Sequence, residues 1–286
     1  MNLRTNKPSL LALVLALTFT ATPRAAEPSA TTAPAADAPI SAAADDETDL
    51  AKKLSNPVAG LISLPFQSNF DFGGGPKDNA FRYTLNVQPV VPFQLSENWN
   101  LISRTIIPFV HQEKVFGSTT QSGLSDIAQS LFFSPAKPGP GGIIWGAGPV
   151  FLLPTATDDR LGTEKFGLGP TAVVLTQAGG WTYGALANHI WSVAGNDSRR
   201  DVNATLLNPF VSYQLKTQTT LGVSTEPVYD WQSSRWTVPL AASVSQLVKI
   251  GKLPVSFTLG GRYYAEKPDG GPDWGLRFAV TFLFPK

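Results

Sequence analysis

Charged and amide side chains occupy alternate positions in segments whose other positions are apolar. Arg82 and Asn86, for example, alternate with Tyr83 and Leu85. The side chains that share this polar phase are Arg82, Asn86, Gln88, Arg104, Glu226, Asp230, Arg262 and Arg277. Such a set can orient or filter solutes, as charged rings do in pores. It can equally form ion pairs that stiffen a closed interior, because buried charges are usually paired. Both interpretations are open from the sequence.

The two histidines of the chain, His111 and His189, are the candidates for acid–base chemistry. A lipid hydrolase would need one of them beside a serine on a neighbouring strand, oriented by a third group. The sequence around either histidine carries no local signature of such a site. His189 shares the apolar phase of Trp181, Tyr183 and Trp191, which places it near a membrane interface. We therefore predict no enzymatic activity, with an interfacial lipid hydrolase as the least favoured alternative.

Cofactor and metal sites are also not predicted. The run from Gly73 to Lys77 lacks the spacing of a phosphate loop and begins no helix. Asp158 and Asp159 are not surrounded by a calcium-loop pattern, and the chain has no cysteine. The formal net charge of +1 produces no field that would attract nucleic acid, so no nucleic-acid partner is expected.

The N-terminal region has the pattern of an exported protein. Basic residues precede an apolar run at positions 10–17 and then small residues, which is typical of a secretory signal peptide over residues 1–26. Residues 27–57 are rich in Ala and Pro and predict a disordered linker with a short leader. Within it, residues 50–56 could form two helical turns ending before Pro57. Residues 58–286 form the remaining predicted domain.

From Gly60 onward, hydrophobicity alternates with a period of two, which indicates β-strands with one apolar and one polar face. No apolar stretch beyond the predicted signal peptide is long enough for a membrane helix, so a membrane location requires a closed barrel. We predict an all-β fold, an antiparallel transmembrane β-barrel of twelve strands, near residues 60–72, 81–94, 99–110, 124–134, 143–153, 167–177, 181–193, 202–215, 220–231, 236–247, 254–264 and 274–284. The even count is typical of bacterial outer-membrane barrels.

Connections and tryptophans support the same location. Short turns alternate with connections that are mostly longer and more polar, as in barrels with short periplasmic turns and long outer loops. Every tryptophan falls near a strand end, which predicts two aromatic girdles formed by Trp99, Trp145, Trp181, Trp191, Trp231, Trp236 and Trp274. A soluble β-protein, in which tryptophan also flanks turns, is the alternative.

Short motifs throughout the chain after Leu50 also indicate a family. They are LSNPVAGLISLPFQSNFDF, LNVQPVVPF, WNLISRTIIP, GLSDIAQSLFFSP, WGAGPVFLLPTATDD, WTYGALANHIWSVAG and GGPDWGLRFAVTFLFPK. In these the chain resembles the outer-membrane family labelled "MetA-pathway of phenol degradation", whose members are described as transporters. The resemblance implies a β-barrel related to channels for hydrophobic or aromatic small molecules.

Together these observations predict a passive channel in the bacterial outer membrane. Its expected partners are outer-membrane lipid, the barrel assembly machinery and a small solute that the sequence does not identify. The alternative is a structural or interaction barrel with a closed lumen.

Overall fold

A computed structural model describes residues 49–285, which form a closed antiparallel β-barrel. Fifteen strand segments pair into one sheet, and three pairs of them continue one another across short breaks, which leaves twelve barrel strands. The predicted fold class and strand count are therefore confirmed. No helix in this part of the chain is long and apolar enough to cross a membrane.

The strands are numbered in chain order. They are β1 Ile62–Phe72, β2 Phe81–Val87 with Val90–Gln94, β3 Trp99–Glu113, β4 Thr120–Leu124 with Ile127–Pro135, β5 Ile144–Leu153, β6 Lys165–Ala178, β7 Trp181–Gly195, β8 Asn203–Gln214, β9 Thr219–Thr225 with Val228–Asp230, β10 Arg235–Ile250, β11 Leu253–Glu266 and β12 Trp274–Phe284. Each predicted segment overlaps one of these strands.

Closure of the barrel comes from the pairing of β12 with β1. These strands pair in one continuous register from Ile62 opposite Phe284 to Phe72 opposite Trp274. Every other strand pairs with the strands before and after it, so the sheet has no open edge within the described residues. A closed ladder satisfies the backbone without water, which is the condition for crossing lipid.

The three breaks fall at Gln88-Pro89, Ser125-Asp126 and Glu226-Pro227, inside β2, β4 and β9. Proline has no N–H to donate to the ladder, so it interrupts pairing at two of these positions. The neighbouring strands still bond across the breaks, since Thr105 N donates to Pro89 O and Leu207 N donates to Pro227 O.

Connections differ at the two ends of the barrel. The turn end, where β1 begins and β12 ends, has five connections, over residues 95–98, 136–143, 179–180, 215–218 and 251–252. The loop end has six, over residues 73–80, 114–119, 154–164, 196–202, 231–234 and 267–273. One hairpin departs from expectation. Residues 111–113 and 120–123 were predicted as loop but extend β3 and β4, because Gln112 pairs with Gln121 and Glu113 with Thr120.

A short leader enters the turn end of the barrel. Residues 49–54 are helical, and Ala51 packs with Leu61, Leu247 and Leu283, while Leu54 lies against this cluster. Gln177 Nε2 donates to Lys52 O at 2.8 Å, which fixes the helix to the end of β6. The predicted signal peptide and most of the predicted linker lie outside the described residues, so those boundaries stay predictions.

A second apolar cluster lies inside the barrel along β3 to β7. It is formed by Val58, Ile102, Phe132, Val173, Leu175 and Leu186. Phe132 and Ile102 are fully buried, and each contributes about 1.5–3 kcal/mol by leaving water. The interior therefore has an apolar side and, on the opposite strands, a polar side.

Candidate functional site

An ion pair crosses the interior between β12 and β9. Arg277 Nη1 lies 3.1 Å from Glu226 Oε1 and Nη2 lies 3.3 Å from Oε2. The same guanidinium donates from Nε to Asn69 Oδ1 at 2.9 Å. Because β10 and β11 separate the two strands, a contact between these side chains can only run through the barrel interior.

A second ion pair links β11 to β1. Arg262 donates to Asp71 through Nε at 2.8 Å and Nη2 at 2.6 Å, and Tyr264 Oη donates to Asp71 Oδ1 at 3.0 Å. Only 11% of the Arg262 side chain and 9% of the Asp71 side chain are exposed. Removing one partner of a pair this buried leaves the other charge buried without a counter-ion, which lowers the free energy of unfolding by about 3–5 kcal/mol.

Asp71 was not among the predicted site residues. The sequence feature that indicates an interior position for Asp71 is its place in the polar phase of β1, two residues after Asn69 and four after Gln67. The phase shows which face a side chain occupies, but the partner across the interior depends on how the strands are staggered in the closed barrel.

The two remaining interior arginines bond to amides. Arg82 Nε donates to Gln112 Oε1 at 2.9 Å, and Arg104 Nη2 donates to Gln88 Oε1 at 3.1 Å. Among the described residues, neither arginine forms an ion pair. Four interior arginines therefore face Asp71 and Glu226, a local excess of two positive charges from the six residues.

Two residues of this network lie at strand breaks. Gln88 and Glu226 each occupy the first residue of a break and precede a proline. The register is the same on both sides of each of these two breaks, so Gln88 and Glu226 keep the face that the strand alternation gives them. Asp126, at the third break, instead fixes the loop over residues 154–164, since it accepts from Thr163 N at 2.6 Å and Ala156 N at 3.2 Å.

Two predicted lumen residues, Asn86 and Asp230, lie apart from the two interior ion pairs described above. Asn86 lines a cavity and is the register partner of Gln67. Asp230 lies at the loop end, where it pairs with Arg200 at 2.5 Å and accepts from Ser233 Oγ at 2.8 Å. It therefore anchors the loops at the rim and is not part of the arginine network.

Two adjoining cavities occupy the interior, with volumes of about 340 and 430 Å³. Leu54 and Ser55 of the leader border both of them. The smaller cavity is bounded on β8 to β12 mainly by small and hydroxyl side chains: Ser212, Thr220, Gly222, Ser224, Ala241, Ser243, Ser245, Ser256, Thr258, Gly260, Ala279 and Thr281. This composition leaves room for solute and supplies exchangeable hydrogen bonds.

The seven tryptophans are all exposed, from 40% for Trp145 and Trp236 to 54% for Trp231. Three lie on strands at the turn end, namely Trp99, Trp145 and Trp181. Four lie at or near the loop end, namely Trp191, Trp231, Trp236 and Trp274. The outer surface between them is formed by large apolar side chains, such as Phe278, which is 43% exposed.

His189 lies on the outer surface of β7 among aromatic rings. Its ring centroid is 4.1 Å from that of Trp191, and its Nδ1 lies 2.7 Å from Thr205 Oγ1. Trp231 Nε1 donates to the same Thr205 oxygen at 2.8 Å. Its neighbours are thus aromatic and hydroxyl groups, and no carboxylate in the described residues pairs with it.

His111 has a different environment, which the sequence did not indicate. Its Nδ1 lies 2.6 Å from Ser122 Oγ on β4, and its Nε2 lies 3.3 Å from Glu113 Oε1. A serine, a histidine and a carboxylate therefore form one hydrogen-bonded series on the outer surface at the loop end. The cause is the extended β3–β4 hairpin, which places Ser122 opposite His111.

An ion pair at the loop end connects β6 to the loop over residues 196–202. Lys165 Nζ lies 2.9 Å from Asp201 Oδ1, and Ser192 Oγ donates to the same oxygen at 3.0 Å. The hydrogen bond from Lys165, followed by that from Ser192, lowers the pKa of Asp201 below its ordinary value.

Comparison with known proteins gives structural likeness only. No protein-family model and no curated protein sequence matches the chain. The fold is similar to the COG4313 outer-membrane channel of Pseudomonas putida F1, with a TM-score of 0.61 and 14% identity over 78% of this chain and 94% of that one. It is also similar to the NanC porin, with a TM-score of 0.48 and 11% identity over 78% of this chain and 100% of that one. At such identities the likeness to the first supports the barrel fold and leaves activity to be argued from the site.

Proposed function

We propose that this chain is an outer-membrane channel through which small molecules diffuse passively. The observation that carries the proposal is the ion pair between Arg277 and Glu226, which spans the interior beside two adjoining cavities. A polar interior with space beside it, in a barrel whose outside is apolar, is the arrangement of a pore in lipid.

The distribution of the two faces supports a membrane location over a soluble one. A soluble barrel packs its apolar face inward. Here Phe278 and Leu276 are 43% and 45% exposed, while Arg277 between them points inward with 17% of its side chain exposed. Exposed tryptophan at both ends fits the two interfaces of a bilayer. Lipid and the barrel assembly machinery are the partners this location requires.

The solute class follows from the two sides of the interior. Hydroxyl groups line one side. The other side carries Leu186, Leu206 and Phe210, which belong to the apolar cluster around Phe132 or pack against it. Small molecules with both an apolar and a polar part fit such a route, in line with the hydrophobic or aromatic solutes implied by the family resemblance.

Conductance in planar bilayers tests the proposal. We expect single-channel currents with a preference for anions, since the interior arginines outnumber the carboxylates. Arg104→Gln is the most informative variant, because its hydrogen-bond partner Gln88 is neutral and the ion pair between Arg277 and Glu226 stays in place. We expect it to lower anion preference, while Arg200→Gln at the rim leaves selectivity unchanged.

A closed barrel is the competing outcome, and the leader is the feature that favours it. Leu54 packs inside the turn end and borders both cavities. Absence of current from the wild type and from Leu54→Asp, both folded, would mean that the interior is sealed and the channel proposal is wrong.

A second candidate function rests on Ser122, His111 and Glu113. A serine hydroxyl bonded to a histidine that is bonded to a carboxylate is the minimum arrangement for an activated nucleophile. The site faces outward, and Glu113 lies in the same register row as Phe81 and Phe72, whose ring stacks on Trp274. Aromatic girdles of barrels lie at the membrane interface. Release of fatty acid from phospholipid vesicles, abolished by Ser122→Ala and retained by His189→Ala, is the result that would establish it.

A further inference from the structure

A third cavity, of about 350 Å³, lies at the loop end above the ion pairs. Arg82, Asp71 and Tyr264 form its floor, and the loop over residues 268–272 forms one wall. Its volume is near the lower end of the range of about 300–1,000 Å³ found for small-molecule sites. A solute approaching from the loop end would reach this cavity before the interior.

A series of amide side chains fixes Arg82 in this cavity. Gln112 accepts from Arg82 Nε at 2.9 Å and donates from Nε2 to Gln121 Oε1 at 3.0 Å. Gln121 in turn donates to Thr119 Oγ1 at 2.8 Å. Gln112 is fully buried, so the series is shielded from solvent. In the described structure it holds Arg82 through Nε alone, which leaves both terminal amino groups for a ligand.

Among the described residues, Asp71 forms no hydrogen bond or ion pair with Arg82, although the two residues are register partners. Both Asp71 oxygens are taken by Arg262, and one also accepts from Tyr264. At the lip of the cavity, Asp269 pairs with Arg235 at 3.1 Å. Three arginines at the cavity therefore face two carboxylates. Because Arg262 pairs with Asp71 and Arg235 pairs with Asp269, the remaining positive charge lies on Arg82.

The walls of the cavity are held by hydrogen bonds. Gly75 N donates to Gly270 O at 2.8 Å, and Lys267 Nζ donates to Gly271 O at 2.9 Å. Apolar surface comes from Val115, Ala80 and two loop prolines, with the Tyr264 ring beside them. A site already held in shape loses less entropy when a ligand binds.

We propose that this cavity binds a small carboxylate with an apolar body, such as an aromatic acid, through the paired amino groups of Arg82. A guanidinium fixed in one plane matches the two oxygens of a carboxylate. A single excess positive charge, with Asp71 adjacent, disfavours a dianion such as phosphate. The proposal rests on the channel function, because it makes this cavity the first binding step of a solute that then enters the interior.

Calorimetric titration of the full-length protein in detergent with benzoate is the test. We expect saturable benzoate binding, weaker binding of the neutral analogue benzamide, and weaker binding of inorganic phosphate. Arg82→Gln should weaken benzoate binding about 10- to 100-fold, as expected for loss of a charge-assisted pair. Arg200→Gln, which removes a rim arginine outside the cavity, should leave it unchanged.

The outcomes separate this proposal from the channel itself. If the wild type conducts ions but does not bind benzoate, the cavity proposal is wrong and the channel stands. Binding without conductance supports the cavity and removes the channel. Equal binding of benzoate and benzamide, or full binding by Arg82→Gln, overturns the role of Arg82. Should Arg82→Gln fail to fold, Arg82→Lys is the second variant, because it keeps the positive charge but not the two paired amino groups. We expect Arg82→Lys to bind benzoate more weakly than the wild type but still measurably.

Discussion

The ion pair between Arg262 and Asp71 makes a prediction about stability that can be worked through in numbers. Replacing Arg262 by Met leaves Tyr264 as the one side chain of the described residues that bonds to the Asp71 carboxylate, in a place where only 9% of that side chain is exposed. An uncompensated buried charge costs about 3–5 kcal/mol. With a urea slope of about 3 kcal/mol/M, the unfolding midpoint should fall by about 1–1.7 M.

Urea unfolding of the detergent-solubilised barrel, followed by tryptophan fluorescence, measures this change. Asp71→Asn combined with Arg262→Met should recover most of the loss, because neither charge then remains buried without a partner. Arg200→Met is the matched control, since its pair with Asp230 is 57% and 37% exposed and such surface pairs contribute about 0–1 kcal/mol.

The reasoning would be refuted by either of two results. Equal destabilisation by Arg262→Met and Arg200→Met would mean that burial does not set the cost of breaking the pair. An additive double variant would mean that the two residues do not depend on each other, although their atoms lie within 2.8 Å.

Three further predictions concern the ladder, the leader and the loops. Gly169→Ala should prevent folding, because the new Cβ would lie 1.7 Å from His189 O. The control Gly261→Ala should fold, since its Cβ would lie 4.0 Å from its nearest neighbour. Folding is measured by the gel band whose mobility changes on heating. Leu54→Asp should raise single-channel conductance, since it expels the leader from the turn end, and unchanged conductance would show that the leader does not constrict the route. The pKa of Asp201 is lower in the folded protein than in the unfolded chain, where it is about 3.9. The pairing of Asp201 with Lys165 therefore stabilises the loop fully at pH values above the unfolded pKa. This stabilisation is lost as the pH falls through the folded pKa. Protease cleavage within residues 196–202 should therefore rise at low pH in the wild type. It should rise less in Asp201→Asn, in which the pair between Arg199 and Glu164 is a carboxylate contact that this loop keeps.

The strands could be predicted from sequence because membrane barrels repeat one simple rule. A side chain that faces lipid must be apolar and its neighbours need not be, so a run such as Trp274 to Phe284 shows its faces directly. The rule fails at the loop end. Residues 111–113 and 120–123 are polar on both faces and read as a loop, yet they pair as strand. The Ser122–His111 contact could not be predicted for the same reason.

The partners inside the barrel could not be predicted, although their faces could. Alternation placed Arg262, Arg277 and Glu226 in one interior, but Arg262 bonds Asp71 and not Glu226. Which side chains meet is set by the stagger of the closed sheet, because the strand register is the same on both sides of the breaks at Gln88 and Glu226.

The interior arginines fall into two groups, and each group fits one of the two interpretations first open for the interior charges. Arg262 and Arg277 are bound to carboxylates and stiffen the wall. Arg82 and Arg104 are held by neutral amides, which orient a guanidinium without cancelling its charge. An amide partner has no stabilising Coulomb attraction to offer, so pairing an interior arginine with Gln serves recognition of a solute better than it serves stability. On this argument the unpaired arginines, and not the ion pairs, determine which solutes pass, and neutralising Arg82 or Arg104 should change selectivity with less loss of stability than breaking either ion pair.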